Sequence, residues 1–292
     1  MKRCAFLSMD NLEGYFVYDE LCYQPMAEAG WHTEAVSWRD KTVDWSTYDV
    51  VVIRSPWDYQ KDPKAFMACL ERIVASGTVL ENPLPLVRWN LDKSYLKEMQ
   101  KAGIPIVPTL WQRQFEADVL QDAFDEFGCE ELVVKPLLSA NADDTFRLTK
   151  AGFRYDLETL SELFEQREHM IQPFVEAVIA EGEYSLFYFG GNFSHAILKR
   201  PKAEDFRVQE EHGGQLQAIH PEPALLAIAE KTLAAMPDTT LYARLDYVRI
   251  QESASGFALM ELELIEPSLY FNMDADSPQR FVDAFVAKFG RG

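Results

Sequence analysis

The chain has 292 residues, a length that suits two domains or one domain with subdomains, and its 48% hydrophobic content supports a packed core and excludes a disordered polymer. Its formal net charge is −19 with no basic stripe, which argues against a nucleic-acid partner and leaves small anions to locally placed Lys and Arg. Cys4, Cys22, Cys69 and Cys129 are scattered without CxxC spacing, the pattern of reduced thiols and of neither a disulfide framework nor a zinc site.

Lys2 and Arg3 precede an apolar run of only residues 4–9. That is too short for a signal peptide or a membrane span, so a cytoplasmic protein without a membrane partner is expected. Residues 4–9 read as a buried first strand. Tyr18, Cys22, Met26 and Ala29 recur at helical spacing up to Gly30, with Pro25 as a local objection. Residues 33–38 are a second strand. Val50, Val51, Val52 and Ile53 form a third, apolar throughout, as a parallel strand buried on both faces would be. Phe66, Leu70, Ile73 and Val74 mark a helix, and residues 78–80 a fourth strand. Alternating βαβ units predict a small doubly wound domain over residues 1–88.

Ligands of such sheets bind at the carboxyl ends of the strands. Arg54, Trp57, Asp58 and Tyr59 follow the third strand and are candidate substrate contacts for a small zwitterion; the alternative is a Ser-Pro turn with Trp57 covering the sheet edge.

Residues 82–85 are a Pro-rich break. A helix over residues 92–102 carries Lys93, and residues 104–110 are extended. Val119, Ala123 and Phe127 give a helix closed by Gly128. Residues 132–134 are a strand that delivers Lys135. Ser139 opens a polar loop over residues 139–145, and residues 146–148 return from it. Leu157, Leu160 and Phe164 give a helix, and residues 169–172 a strand leading into Pro173. Residues 184–189 and 193–199 are strands joined by Gly190, Gly191 and Asn192, a hairpin turn. A charged loop covers residues 201–214, and Leu225, Ile228, Ala229, Leu233 and Met236 give a helix. Phe281, Phe285 and Phe289 mark a closing helix with Ser277 as N-cap and Pro278 in its first turn.

Between those last two helices, residues 241–250 and 257–270 form an acidic hairpin. Glu261 and Glu263 are two apart and share a strand face, and the first strand sets Asp246 beside them. Like charges on one face repel. They require a cation, a basic partner or open water. Three oxygen-only carboxylates suit a hard divalent ion such as Mg²⁺; the alternative is the solvated face of an edge hairpin.

The ordered set NLDKSYL (residues 90–96), VVKP (133–136), IQPFVE (171–176), EGEYSLFYFGGNFSHAILKRP (181–201), DFRVQEEHGG (205–214), RLDYV (244–248) and ELELIEP (261–267) resembles the ATP-grasp superfamily. Within it, the chain is most similar to the branch of bacterial glutathione synthetase, the ribosomal-protein glutamate ligase and D-cycloserine synthetase. The resemblance spans nearly the whole chain. It implies an α/β ATP-grasp fold in three parts: residues 1–88, a substrate-side domain; residues 89–175, a linker helix and central lid subdomain; and residues 176–292, a C-terminal subdomain with a mixed or antiparallel sheet.

The implied activity is ATP- and Mg²⁺-dependent ligation of a carboxylate to an amine or thiol, with Mn²⁺ as an alternative ion. Lys93, Lys135 and Ser139 are expected at the ATP phosphates, although a solvated surface lysine is the ordinary reading of either lysine alone. Gln172, Pro173, Phe174 and Val175 would form the hinge that holds adenine. Asp246, Glu261 and Glu263 match the metal ligands, Glu263 standing where the family has Asn. Arg207 matches the arginine that stabilises the acyl phosphate, oriented by Asp205 and Gln209. Arg244 is a second catalytic candidate, or a salt-bridge partner of the acidic cluster. Gly213 and Gly214 would offer backbone amides to a substrate anion. Glu266 would see substrate. His212 is not assigned as a base, and His195 reads as structural.

The loop after Lys135 departs from the Gly-rich family pattern: it has no Gly, Ser139 and Asn141 as donors, and the acids Asp143 and Asp144. That loop supports one rival reading, a silent nucleotide-binding regulator; a second rival is use of the fold as a phosphotransferase acting on a hydroxyl. The expected partners are small carboxylate and amine substrates and a second copy of the chain, as a homodimer or homotetramer.

Overall fold

The computed structural model describes residues 1–139, 143–202, 205–251 and 253–292. The chain runs β1 (Lys2–Ser8), α1 (Tyr23–Glu28), β2 (Trp31–Ser37), β3 (Val50–Ser55), α2 (Pro63–Ala75) and β4 (Val79–Glu81). These strands form a parallel sheet in the order β2-β1-β3-β4. Asp62 caps α2 by accepting from the Ala65 amide at 3.1 Å, and Pro63 opens the helix. The helix expected over residues 18–29 is a 3₁₀ turn, Asp19–Cys22, followed by the short α1. Pro25 is harmless there, because it sits in the first turn of α1, where no intrahelical acceptor awaits its missing N–H.

The Pro-rich break at residues 82–85 is a helix start: α3 covers Leu84–Asn90, with proline in its first turn. α4 covers Tyr95–Lys101, so Lys93 lies in the turn before a helix and not on one. Then come β5 (Leu110–Gln112), α5 (Ala117–Phe127), β6 (Glu131–Pro136), β7 (Phe146–Thr149), α6 (Leu157–Phe164) and β8 (His169–Pro173). They build an antiparallel sheet, β5-β8-β6-β7, whose core joins Leu120 and Phe124 of α5 to Leu160 and Phe164 of α6.

The last part runs α7 (Ala177–Ala180), β9 (Glu183–Phe189), β10 (Asn192–Arg200), β11 (Gln215–Ala218), α8 (Pro223–Ala234), β12 (Tyr242–Arg249), β13 (Phe257–Glu263) and α9 (Ser277–Phe289). Its sheet is antiparallel in the order β11-β10-β9-β12-β13. β11 has no counterpart in the sequence reading. β13 ends at Glu263, so Glu266 lies beyond the strand as expected, and the N-cap position of α9 is Asp276 rather than Ser277. Phe281 and Phe285 of α9 pack in one core with Phe6 of β1, Trp31 of β2, Val52 of β3, and Phe187 and Phe189 of β9. That shared core joins the parallel sheet to the five-stranded sheet. No helix among the described residues is long and apolar enough to cross a membrane.

Candidate active site

A pocket opens between the three sheets. It is lined by Trp57 and Tyr59 after β3, Lys135 of β6, the segment 172–175 at the end of β8, Lys199 of β10, Arg244 of β12, Glu261 and Glu263 of β13, and Arg207. The free edge of β13 decides where Lys93 goes. Asn90 donates to the Leu262 carbonyl at 2.8 Å and accepts from the Leu264 amide at 3.0 Å, while the Tyr95 hydroxyl accepts from the Leu262 amide at 2.8 Å. Residues 90 and 95 thus satisfy backbone groups that an edge strand leaves open. The turn between them carries Lys93 to 2.9 Å from Glu261, and its ammonium also donates to the Ser139 carbonyl at 3.1 Å.

Lys135 lies half-buried in the opposite wall and makes no ion pair or hydrogen bond through its ammonium among the described residues. Burial pushes its pKa down, and nearby Glu261 offsets this only in part. A second charge cluster lies deeper. Asp246 is 2% exposed and takes hydrogen bonds from the Ser185 hydroxyl and the Arg244 guanidinium, with the Lys199 ammonium at 3.5 Å. Burial works to raise its pKa, but Arg244 and Lys199 outweigh that and hold the carboxyl below its usual range. Lys199 also pairs with Glu183, and Arg244 with Glu263. Glu261 is likewise lowered, since Lys93 and Lys135 outweigh its burial. Glu263 goes the other way: burial and the neighbouring Asp246 and Glu261 push it up despite Arg244.

A family model described as D-cycloserine synthetase DcsG, N-terminal domain, matches residues 4–82. The cycloserine biosynthesis protein DcsG of Streptomyces lavendulae is 33% identical over 285 residues, covering 90% of this chain and 92% of that protein. The chain belongs to the DcsG family of ATP-grasp ligases. The crystal structure of D-cycloserine synthetase DcsG superposes with a TM-score of 0.84 at 29% identity, over 98% of this chain and 99% of that one. D-alanine–D-alanine ligase from Bacillus anthracis shares the fold, with a TM-score of 0.69 at 16% identity over 98% and 97% of the two chains. Glutathione synthetase of Prochlorococcus marinus is 37% identical over 109 residues, 36% of this chain and 33% of that protein. As a member of the DcsG family the chain is an ATP-dependent ligase with the mixed α/β ATP-grasp fold.

In this DcsG-family chain the sites named from sequence divide into two groups. Lys93, Lys135, Ser139, Gln172, Pro173, Phe174, Val175, Arg207, Arg244, Glu261, Glu263, Trp57 and Glu266 line the pocket. Arg54, Asp58, Asp246, Gly213 and Gly214 do not, and each has a physical reason. The Arg54 side chain is 1% exposed and is spent on Asp19 at 2.9 Å and the Pro267 carbonyl at 3.1 Å. Asp58 accepts from Trp38 at 2.7 Å and pairs with Arg39. Asp246 sits behind the wall, saturated by its donors. The Gly213 and Gly214 amides already donate to the Glu210 and Gln209 carbonyls at 2.9 and 3.0 Å, so they are not free for an anion. Asn141 lies outside the described residues.

The Arg207 guanidinium is 38% exposed at the pocket and held bidentately by Asp205 at 3.1 and 2.9 Å. That grip holds the Asp205 carboxyl well below the usual range. Gln209, expected to share the task, leaves its buried side-chain oxygen without a hydrogen-bond partner among the described residues. At the hinge, Gln172 donates to the Thr109 hydroxyl at 2.9 Å, and the Phe174 amide donates to the Glu131 carbonyl at 2.9 Å.

Lys199, Glu183 and Tyr270 were not anticipated in the wall. A lysine inside the apolar run AILK of a strand was the available signal, because a charge at such a place needs a buried partner. Tyr270 had no signal. It is a buried non-glycine residue at φ +43°, a conformation kept where the surroundings over-determine it.

The donor set fits Mg²⁺, with a correction to the expected ligands. Among the described residues no group of three or more His, Cys, Asp or Glu stands in ligand geometry. Glu261 and Glu263 nevertheless face the pocket side by side, and Mg²⁺ is commonly held by one or two carboxylates together with substrate phosphates.

Proposed function

We propose that this ligase activates the carboxylate of a small amino-acid-like substrate as an acyl phosphate and passes the acyl group to an amine. The observation that carries this reading is the pocket itself. Two lysines, an exposed bidentately held arginine and a pair of glutamates line it, in a chain one-third identical to DcsG along nearly its full length.

A substrate carboxylate oxygen attacks the γ-phosphorus, the bond to the bridging oxygen breaks, and ADP leaves. The amine nitrogen then attacks the acyl carbon, loses a proton, and expels phosphate. Lys93 and Lys135 bind the phosphates as compact cations, and Arg207 faces the charge that grows on the acyl phosphate. Mg²⁺, when bound, neutralises phosphate charge, and Glu261 and Glu263 are the residues that would hold it, with Mn²⁺ as a substitute. When phosphate takes the Lys93 ammonium, Glu261 is released from its ion pair and becomes available. The adenine lies against Pro173, Phe174 and Val175; with the Phe174 amide already used, the Val175 backbone serves the base. Catalysis is then positioning and electrostatics.

Residues 1–88 act as the substrate-side domain, 89–175 as the linker and lid, and 176–292 as the subdomain with the metal and acyl-phosphate site. The protein works in the cytoplasm, on small molecules, as a homodimer or homotetramer. The test is ADP release from ATP and Mg²⁺ with pooled amino acids, beside a Glu261→Gln, Glu263→Gln double variant. Release that needs both the pool and the two carboxylates, with a product formed by loss of water, is expected. A stable phosphorylated product would overturn ligation.

A further inference from the structure

Four carboxylates from the strands β9 and β13 and the turn after β13 stand in the pocket wall: Glu183, Glu261, Glu263 and Glu266. Three have a cation. Lys199 pairs with Glu183, Lys93 with Glu261 and Arg244 with Glu263. Glu266 has no ion-pair partner among the described residues, and Tyr59, which lines the same pocket wall, is its polar neighbour there. A partly buried carboxylate with no cation is costly, and it favours a ligand that brings one.

Its backbone is held for that purpose. The Trp57 indole donates to the Glu266 carbonyl at 2.8 Å, and Arg54, fixed by Asp19, donates to the Pro267 carbonyl at 3.1 Å. Both donors come from the end of β3 and the turn after it, so the parallel sheet aims Glu266. The same corner is aromatic. Tyr15 packs on Trp57 with ring centroids 5.5 Å apart, and Tyr15, Trp57 and Tyr59 all line the pocket. Aromatic faces attract a cation, and beside a carboxylate they select a compact ammonium over a neutral group.

We propose that Glu266, with Tyr59 and the rings of Tyr15 and Trp57, is the receptor for the ammonium group of the amino-acid substrate. The proposal rests on the ligase reading for its substrate class. It adds what that reading leaves open: which residues of this chain take the amino group that stands beside the activated carboxylate. Arg54 acts as a positioning residue for this corner and touches no substrate.

Ligand-observed NMR tests it without turnover. D-alanine, L-alanine and lactate are titrated into the full chain holding Mg²⁺ and a non-hydrolysable ATP analogue. One alanine enantiomer is expected to bind about tenfold or more tightly than lactate, which has a hydroxyl in place of the ammonium. Glu266→Gln should abolish that preference while the affinity for the nucleotide analogue stays as in the wild type. Tyr15→Leu, on the half-exposed side of the corner, should weaken alanine binding and serves if the first variant misfolds. Equal binding of alanine and lactate, no binding of either enantiomer, or an unchanged preference in Glu266→Gln overturns the proposal. So does a loss confined to the Mg²⁺ requirement, which would make Glu266 a metal group. If alanine binds with the expected preference but no amino acid triggers ADP release, the ligase chemistry fails and the receptor stands.

Discussion

Replacing Lys199 by Met removes the cation beneath the active site. The Lys199 side chain is 4% exposed, pairs with Glu183 and lies 3.5 Å from Asp246, whose side chain is 3% exposed. Met fills nearly the same volume, so little packing is lost. What remains is Glu183 facing Asp246 with only Arg244 between them and neutrality. Breaking a buried pair from one side costs about 3–5 kcal/mol, a large part of a typical folding free energy. Glu183 is already pushed above its ordinary value by burial, and loss of Lys199 pushes it further.

The sign then follows. A carboxyl whose folded pKa exceeds its unfolded one is destabilising above the folded value and regains stability as pH falls through it. Urea unfolding at pH 7.5 and pH 5.5 therefore separates causes. The variant should be about 3–5 kcal/mol less stable than the wild type at the higher pH, with part of the gap closed at the lower. Lys199→Met, Glu183→Gln should recover most of it. A loss below about 1 kcal/mol, or one equal at both pH values, would refute the claim that Lys199 acts through its charge.

Arg207→Ala should lower turnover by about a hundredfold, with only a small fall in the unfolding midpoint, since Arg207 is substantially exposed while Asp205 loses its partner; steady-state kinetics beside urea melts would show both. His195 donates through Nε2 to the Leu269 carbonyl, stacks on Phe187 at 4.3 Å, and is pushed down to about 4 by burial. The unfolded state alone takes up its proton between about pH 6.5 and 4, so the wild type should lose about 3 kcal/mol across that window, and His195→Gln less, by urea titration. Gly214→Ala should destabilise by about 1–3 kcal/mol, because an added Cβ would meet the Val208 carbonyl oxygen at 2.0 Å; a thermal melt matching the wild type would show that the turn gives way freely.

Local patterns were sufficient for much of this protein. The all-apolar run at residues 50–53 suits a strand buried on both faces, and it is one of the two inner strands of the parallel sheet. Alternation in ELEL set Glu261 and Glu263 on one face, since the side-chain period of a strand is two, and both reach the pocket. The spacing in NLDKSYL was visible, but its reason was not: Asn90 and Tyr95 satisfy the edge of a strand some 170 residues later in the chain. Partner choice is where sequence reasoning stopped. Arg54 and Asp58 have the residue types of a substrate site, yet nearby Asp19 and Arg39 take their charges. Asp246 has the residue type of a metal ligand, yet Arg244 and Lys199 saturate it from inside the sheet. The sequence by itself determined most of the strands, though not the polar β11, the shared face of Glu261 and Glu263, and the family that the ordered motifs spell, because these follow from short-range periodicity and order. Only the tertiary structure decided which charges are spent on one another and which, like Glu266, have no ion-pair partner among the described residues, because ion pairing depends on distances across elements far apart in the chain.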